Sequence, residues 1–395
     1  MTGVAPGPWL RICALAAAAG AILAVVSGAE HLDSAHRVVA ALVAPPLAAL
    51  LLAAWIAHRS LVPAALGASA LFTAAAGLHG TRLHAVFAAL ALAALLVVAV
   101  QSTRGEHVPW GSWRDYVTLT KPRIMSLLLV TGICGMIAGA KGWPGTATFA
   151  ALTVGLGLAC GGASALNHVI DRDIDPLMGE RTKRRPVASG RVAPSRALEF
   201  GLALSALSFV LLASAVNVLT AVLALVGNLF YVLVYTRWLK RTTTQNIVIG
   251  GAAGAVPPLV GWAAATGHVG VAALALFAIV FVWTPPHFWA LAILIKDNYA
   301  NAKVPMLPVV RGERETTRQI VLYSLALVGV TLIPWAVTGA GILYVAAALA
   351  LGAVFLWLAE RLRRDPTPRR AALLFHYSLL YLALLFAALA LDLAL

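Results

Sequence analysis

Charged side chains are scarce in this chain: Asp, Glu, Lys and Arg together make up 11% of its 395 residues, against about 25% in an ordinary soluble domain. Acidic residues are the rarer kind, 15 against 29 Lys and Arg. With 61% hydrophobic residues and a mean hydropathy of +0.89, well above the roughly 45–50% apolar content of soluble chains, a water-soluble fold is excluded. Cysteine is nearly missing. Cys13, Cys134 and Cys160 each lie inside an apolar run without CxxC spacing, which argues against a disulfide framework or a zinc site. Segments of alternating polarity, the mark of a membrane β-barrel, are also absent. The first apolar run lacks a good cleavage site and leads into further spans, so it reads as retained rather than as a removable leader. The net charge of +14 does not point to nucleic acid, because the basic residues sit in short loops between apolar runs.

What the chain does have is long apolar runs. Four come first, near 8–28, 37–57, 62–79 and 83–101. A polar, Trp-containing stretch over 101–121 follows and marks the best domain boundary. Nine more runs then appear, near 122–141, 147–168, 196–216, 218–236, 246–266, 271–295, 318–337, 341–360 and 371–391. Crossing about 30 Å of hydrocarbon takes roughly 20 helical residues, and a helix satisfies its own backbone hydrogen bonds there. The expected fold is therefore an all-α polytopic membrane helix bundle. Its nine-helix core occupies 106–395, with four additional N-terminal transmembrane helices in 1–105. Arginines and lysines gather in the loops before the first of the nine runs, in 171–196, at Arg237, Lys240 and Arg241, in 296–318 and in 361–370. The opposite loops carry little beyond Lys141 and His268, so the basic side is expected to face the cytoplasm of a cell (inner) membrane.

Charge is concentrated in 167–186, NHVIDRDIDPLMGERTKRRP. Asn167, Asp171 and Asp175 recur at i, i+4, i+8, which on a helix puts them on one face over roughly 12 Å. Asp173 falls on the opposite face. Oxygen ligands stacked in this way suit Mg²⁺, which takes carboxylates, waters and phosphate oxygens. Arg181, Lys183, Arg184 and Arg185 follow, enough cations to hold a polyanion by charge-assisted hydrogen bonds. A solvated cytoplasmic loop explains those cations equally well, but not an amide and carboxylates on one face. A second stretch, 296–308 (KDNYANAKVPMLP), repeats the pattern with Asp297 and Asn301 at i and i+4, between Lys296 and Lys303. A third, 235–246, offers Tyr235, Arg237, Lys240 and Arg241. For these two, snorkelling side chains at a span end are the alternative. Together the stretches predict a polar site between two halves of the bundle.

At these residues the sequence resembles the UbiA-type intramembrane prenyltransferases, and among them the branch that farnesylates protoheme IX. The resemblance rests on LTKPRI (119–124), ALNHVIDRDID (165–175), RTKRRP (181–186), NIVIGGAAGAVPPLVGW (246–262), PPHFWALAI (285–293) and VPMLPV (304–309), and it covers about 115–395. It implies nine transmembrane helices around a central cavity. It also implies farnesyl diphosphate as donor, heme b as acceptor, and Mg²⁺ bridging the diphosphate to Asp171, Asp175 and Asp297 with Asn167 in support. Lys121, Arg123, Arg181, Lys183, Arg185, Tyr235 and Lys240 are the implied diphosphate partners. On the acceptor side, His287, Trp283 and Asn301 are candidates, since an ionisable residue such as His287 inside a span is uncommon and usually functional. Helix packing is the alternative for His287 and its aromatic neighbours Phe288 and Trp289. Two departures stand out: Asn298 and Asn301 replace acids frequent in the family's second motif, and the 178–181 stretch is one residue longer than the family form.

Residues 1–105 lie outside that resemblance. The stretches 34–44 and 82–96 are weakly similar to the two histidine helices of half a heme A synthase, which makes His36 and His84, beside His31 and His79, candidate heme ligands. It also makes heme A synthase a candidate partner. Interfacial histidines of an accessory bundle are the alternative. Two other functions fit parts of the pattern: a transferase acting on an aromatic quinone precursor, and a transporter carrying ions on the paired acidic sites, an option that helix breaks at Pro257-Pro258 and Pro285-Pro286 would keep open. The short, nearly uncharged outer loops argue against transport.

Overall fold

A computed structural model of the chain describes residues 13–21, 24, 43, 46, 47, 50, 62–77, 83–101 and 111–395. His31, His36 and His79 lie outside the described residues, as does the side chain of His84. No strand occurs among the described residues.

Two N-terminal helices are described end to end, α1 (Val62–Gly77) and α2 (Leu83–Gln101). The amphipathic α3 (Trp113–Thr120) follows, then α4 (Pro122–Ala140), α5 (Thr146–Ile170) and α6 (Pro194–Ala215). Next come α7 (Val218–Leu229), α8 (Asn246–Thr266), α9 (Val271–Leu294), α10 (Gly312–Val330), α11 (Ile342–Arg364) and α12 (Pro368–Ala394). Among the described residues nine helices, α4 to α12 with their short extensions, are long and apolar enough to cross a membrane. They coincide with the nine runs read from hydropathy, so the chain is an integral, multi-pass membrane protein.

Helix α5 packs on α6 and α8 on α4, while α9 is flanked by α10 and α12. The last helix, α12, returns to α4, so the nine spans close on themselves. The α4/α8 crossing explains Gly261 of α8 and Gly132 and Gly135 of α4. A Cβ on Gly261 would sit 1.8 Å from the Gly132 carbonyl oxygen, and one on Gly135 would sit 2.7 Å from that of Pro258. Backbones touch there, and only glycine permits it; in lipid, where apolar side chains gain little from leaving the solvent, such close contact holds helices together. The N-terminal segment packs against α6, where Ala206 and Val210 join Leu92, Leu95 and Val98 of α2 in one apolar cluster.

Candidate functional site

The polar residues converge at one end of α5, and α3 supplies the first support. Ser112 caps that helix in a reciprocal capping box with Asp115. Arg191 Nε donates to Asp115 Oδ1 at 2.8 Å, and the Ser112 backbone bond together with this guanidinium holds the Asp115 carboxyl below its usual range. Ser164 of α5 donates to the Leu119 carbonyl at 2.6 Å. So pinned, α3 ends at Lys121, which takes the left-handed conformation (φ +50) between two helices, a state few non-glycine residues adopt. Pro122 follows, disfavouring right-handed helix at Lys121 while starting α4.

That turn aims the Lys121 ammonium into the bundle, where Nζ donates to Asn167 Oδ1 at 2.6 Å. The Asn167 amide in turn donates to Asp171 Oδ2 at 2.9 Å and to Thr236 Oγ1 at 3.1 Å. Lys240 Nζ donates to the same Asp171 oxygen at 2.6 Å, and Arg185 donates to Asp175 Oδ1 at 2.6 Å. Both aspartates are fully buried. Asp173, as its place on the helix predicted, lies outside and forms a two-pronged pair with Arg241 at 2.6 and 2.7 Å.

The route to this arrangement differs from the expected one. Asn167, Asp171 and Asp175 do not share one α-helix: α5 stops at Ile170, and Asp171 and Asp175 each open a 3₁₀ turn, 171–173 and 175–177. Pro176 is a physical reason for the second turn, since it has no N–H to make the α-helical bond back to the Arg172 carbonyl. The tighter turns still place both carboxyls inside, each beside a different cation.

Lys240 and Thr236 reach the site through an unusual helix. Beyond α7 the same span continues as a π-helix, Phe230–Leu239, a form rare outside functional sites. Tyr231 and Tyr235 stack along it at 5.6 Å, and Tyr235 lies against Gly250, where a Cβ would come within 2.3 Å of the ring.

The second polar stretch folds over the first, with different residues turned inward than its spacing suggested. Tyr299, Val304 and Met306 pack with Ile174, Met178 and Ile247 in an apolar cluster that ties the two loops together. Asn298 lies against Gly179, whose absent Cβ would come 3.1 Å from its amide nitrogen. Asp297 and Asn301 are exposed. Among the described residues no three His, Cys, Asp or Glu side chains group closely enough to hold a metal ion, so Asp297 does not complete a ready-made ligand set with Asp171 and Asp175. Arg123, Arg181 and Lys183 are exposed as well, while Tyr235 is half-buried; Lys183 pairs with Glu180 at 3.6 Å. Trp283 and His287 turn to the last helix instead of the carboxylates. Trp283 Nε1 donates to the Ser378 carbonyl at 2.9 Å, His287 Nδ1 bonds Ser378 Oγ at 2.6 Å, and the two rings stack at 4.3 Å.

Burial shifts the charges at the site. Desolvation, reinforced by the nearby Arg185, lowers the Lys121 ammonium to about 7. Desolvation also raises Asp175 against the opposing pull of Arg185, and it pushes Tyr299 up to about 12. Several buried polar atoms accept or donate no hydrogen bond: Asp171 Oδ1, which has only Arg241 Nη2 at 3.8 Å, Asp175 Oδ2, both side-chain polar atoms of Asn246 and both ring nitrogens of His168. Leaving such groups unpaired costs about 1–3 kcal/mol each. Two buried carboxylate oxygens without hydrogen bonds suit a hard divalent cation, which binds one or two carboxylates and takes its other oxygens from phosphates and water. The surrounding lysines and arginine suit those phosphates. Thr236 and Asn246 carry no signal in the sequence that separates them from ordinary helix residues, whereas His168, an ionisable residue at the end of an apolar run, carries the same signal as His287 and was passed over. Arg241 was visible as a cation but not as the partner of Asp173.

Comparison with known proteins gives this geometry a context. The sequence pattern of the UbiA prenyltransferase family matches residues 128–389. A Thermus thermophilus protein named protoheme IX farnesyltransferase is 53% identical over 292 residues, 73% of this chain and 48% of its own length. The chain thus spans about half the length of that relative. A Symbiobacterium thermophilum protein of the same name is 52% identical over 282 residues, 71% of this chain and 94% of its own. Among solved structures, a digeranylgeranylglyceryl phosphate synthase superposes with a TM-score of 0.60 at 16% identity, covering 71% of this chain and 98% of that one. A UbiA homolog from Aeropyrum pernix gives 0.52 at 17% identity, over 68% and 98%.

Proposed function

The chain belongs to the UbiA prenyltransferase family, and from that premise we propose that it transfers the farnesyl group of farnesyl diphosphate to the terminal carbon of a vinyl group of protoheme IX, one water adding its hydroxyl to the other vinyl carbon, giving heme O and diphosphate. The observation that carries the donor half is the pair of buried aspartates, each with one oxygen that accepts no hydrogen bond, set among Lys121, Arg185, Lys240 and Arg241. The acceptor half is supported by the name shared by relatives at about half identity.

In this reading Asp171 and Asp175 would hold Mg²⁺, with the exposed Asp297 in support. The metal, when bound, neutralises charge that builds on the departing diphosphate. Lys121, Lys240 and Arg185 bind its remaining oxygens, and Arg123, Arg181 and Lys183 draw the anion in from the surface. These cations act strongly because the site is poor in water: charge appearing on the leaving group meets donors already in place. Asn167 keeps Lys121 and Asp171 in register through its amide. Tyr299 and its apolar neighbours cap the site, which protects an allylic cation from water. Tyr235, on the π-helix, is assigned to the diphosphate. Trp283, His287 and Asn301 are assigned to the heme side, His287 being held in orientation by Ser378. The polar end faces the cytoplasm of the cell membrane. Residues 1–105 form an accessory module whose His36 and His84 bind heme, and a heme A synthase is the partner that would take up the product.

The test is to incubate membranes containing the protein with heme b, farnesyl diphosphate and Mg²⁺ and to weigh the hemes. A heme heavier by a hydroxyethylfarnesyl change is expected, and none in excess EDTA. Unaltered heme alongside a prenylated 4-hydroxybenzoate would replace heme by an aromatic quinone precursor as acceptor.

A further inference from the structure

One titratable side chain deep in the site takes no part in the network above. His168 follows Asn167 on α5, is 1% exposed, and has no hydrogen-bond partner on either ring nitrogen. It lies one helical turn beyond Ser164, which is bonded to the Leu119 carbonyl, so it shares the face of α5 that meets the end of α3. The chain around Lys121 therefore lies on one side of the ring, and it sits in the electrostatic field of both Lys121 and Arg185. Each of these cations is already committed to one flank of the site, to Asn167 and to Asp175 respectively.

A buried imidazole with two idle nitrogens beside two cations has a narrow choice of partner. Another cation would be repelled at the ring, which unlike Asp171 and Asp175 offers no negative charge to hold one. An apolar group would leave both nitrogens unsatisfied. An anion with acceptor oxygens answers all three side chains at once, and a charge-assisted bond from a ring N–H to a phosphate oxygen is among the stronger kinds. We propose that His168 is a substrate-binding residue, donating a ring N–H to a non-bridging oxygen of the prenyl diphosphate between Lys121 and Arg185. The identity of the anion rests on the prenyl-transfer reading; the presence of an anion site at His168 does not.

The full-length protein in nanodiscs, titrated calorimetrically with inorganic pyrophosphate in Mg²⁺, tests this directly. His168→Phe, which keeps a ring but no donor, should weaken pyrophosphate binding about tenfold, the loss of one charge-assisted hydrogen bond. His168→Gln, which restores an N–H donor, should recover most of it. Heme binding, followed by the Soret band, should not change in either variant, and thermal melts identify any variant that has lost its fold. Should Phe unfold the protein, His168→Leu and His168→Gln give the same contrast. Equal pyrophosphate affinity in all folded variants overturns the proposal, since the ring would then be serving only water or packing. Loss of heme binding with pyrophosphate binding intact overturns it too, by turning the ring toward the acceptor. If the wild-type protein binds pyrophosphate in a His168-dependent way yet never alkylates heme, the anion site stands and the prenyl-transfer reading falls.

Discussion

Asn167 with Asp171, and Asp297 with Asn301, present the same sequence device: an amide and an acid four residues apart beside a span. In the first pair no residue is more than 3% exposed; in the second both lie at the surface. The difference lies in what each helix has to bury. Helix α5 is 25 residues long and is flanked by α6, α4 and α3, so its polar end is enclosed. Asp297 and Asn301 belong to a six-residue helix, Lys296–Asn301, which can bury only one face. Tyr299 takes that face, and as it lies two residues from each of them, about 200° around the helix, both are turned outward. Equal spacing shows that two side chains share a face. It does not show which face is buried.

The largest expected effect tests the buried member. Asp171→Ala should lower kcat/KM for farnesyl diphosphate about a hundred- to a thousandfold, the range seen when a preorganised electrostatic contact is removed. It should also destabilise the protein by about 3 kcal/mol, because Lys240 would be left buried without its partner. Steady-state rates and a thermal melt check both.

Asp297→Ala should cost about tenfold, mainly as a higher Mg²⁺ requirement, and should leave the melting temperature unchanged because nothing buried is uncovered. A loss matching that of Asp171→Ala, in rate or in stability, would erase the contrast between the two regions.

A smaller effect comes from pH. Lys121 is lowered to about 7 in the folded protein, beneath its usual value near 10.4. Between those two values the unfolded chain binds the extra proton, so stability should rise as pH increases from 7 toward 10 and be lowest below 7. A bound diphosphate favours the charged ammonium. Binding near pH 8 should therefore take up a proton, and the KM for farnesyl diphosphate should climb severalfold between pH 6.5 and 8.5. Lys121→Met should flatten both trends, which calorimetry in buffers of different ionisation enthalpy and a pH series of melts would register.

The smallest effect concerns His287. His287→Ala should weaken heme use while farnesyl diphosphate binding stays nearly intact. Ser378→Ala removes the hydroxyl that orients the ring and should give a milder version of the same defect, with about 1 kcal/mol lost from one buried hydrogen bond. If both variants depress heme and diphosphate binding equally, Trp283, His287 and Ser378 form a packing junction between α9 and α12.

Much of the molecule was legible in the residues themselves. The nine spans follow from apolar length, because crossing hydrocarbon demands about 20 helical residues whatever their neighbours. The first motif was legible as well, since carboxylates, an amide and a run of cations beside a span are costly to keep there without a use. Family membership followed from the order of its motifs.

Other features were decided only in three dimensions. That α5 stops at Ile170, and that Asp171 and Asp175 each open a 3₁₀ turn, the second of them at Pro176, is a change of backbone that periodicity passes over. That Lys121 rather than Arg123 reaches Asn167 depends on a left-handed turn held in place by Arg191 and Ser164, contacts spanning 76 and 45 residues of sequence. Thr236 and Lys240 meet the motif from 69 residues away, through a π-helix that no composition announces. His168 became notable only when its two nitrogens proved to be buried without partners. Hydropathy and charge are properties each residue carries along the chain, so they could be read there. Burial, partner choice and the field at a side chain are set by segments that are distant in sequence and adjacent only once the bundle has closed.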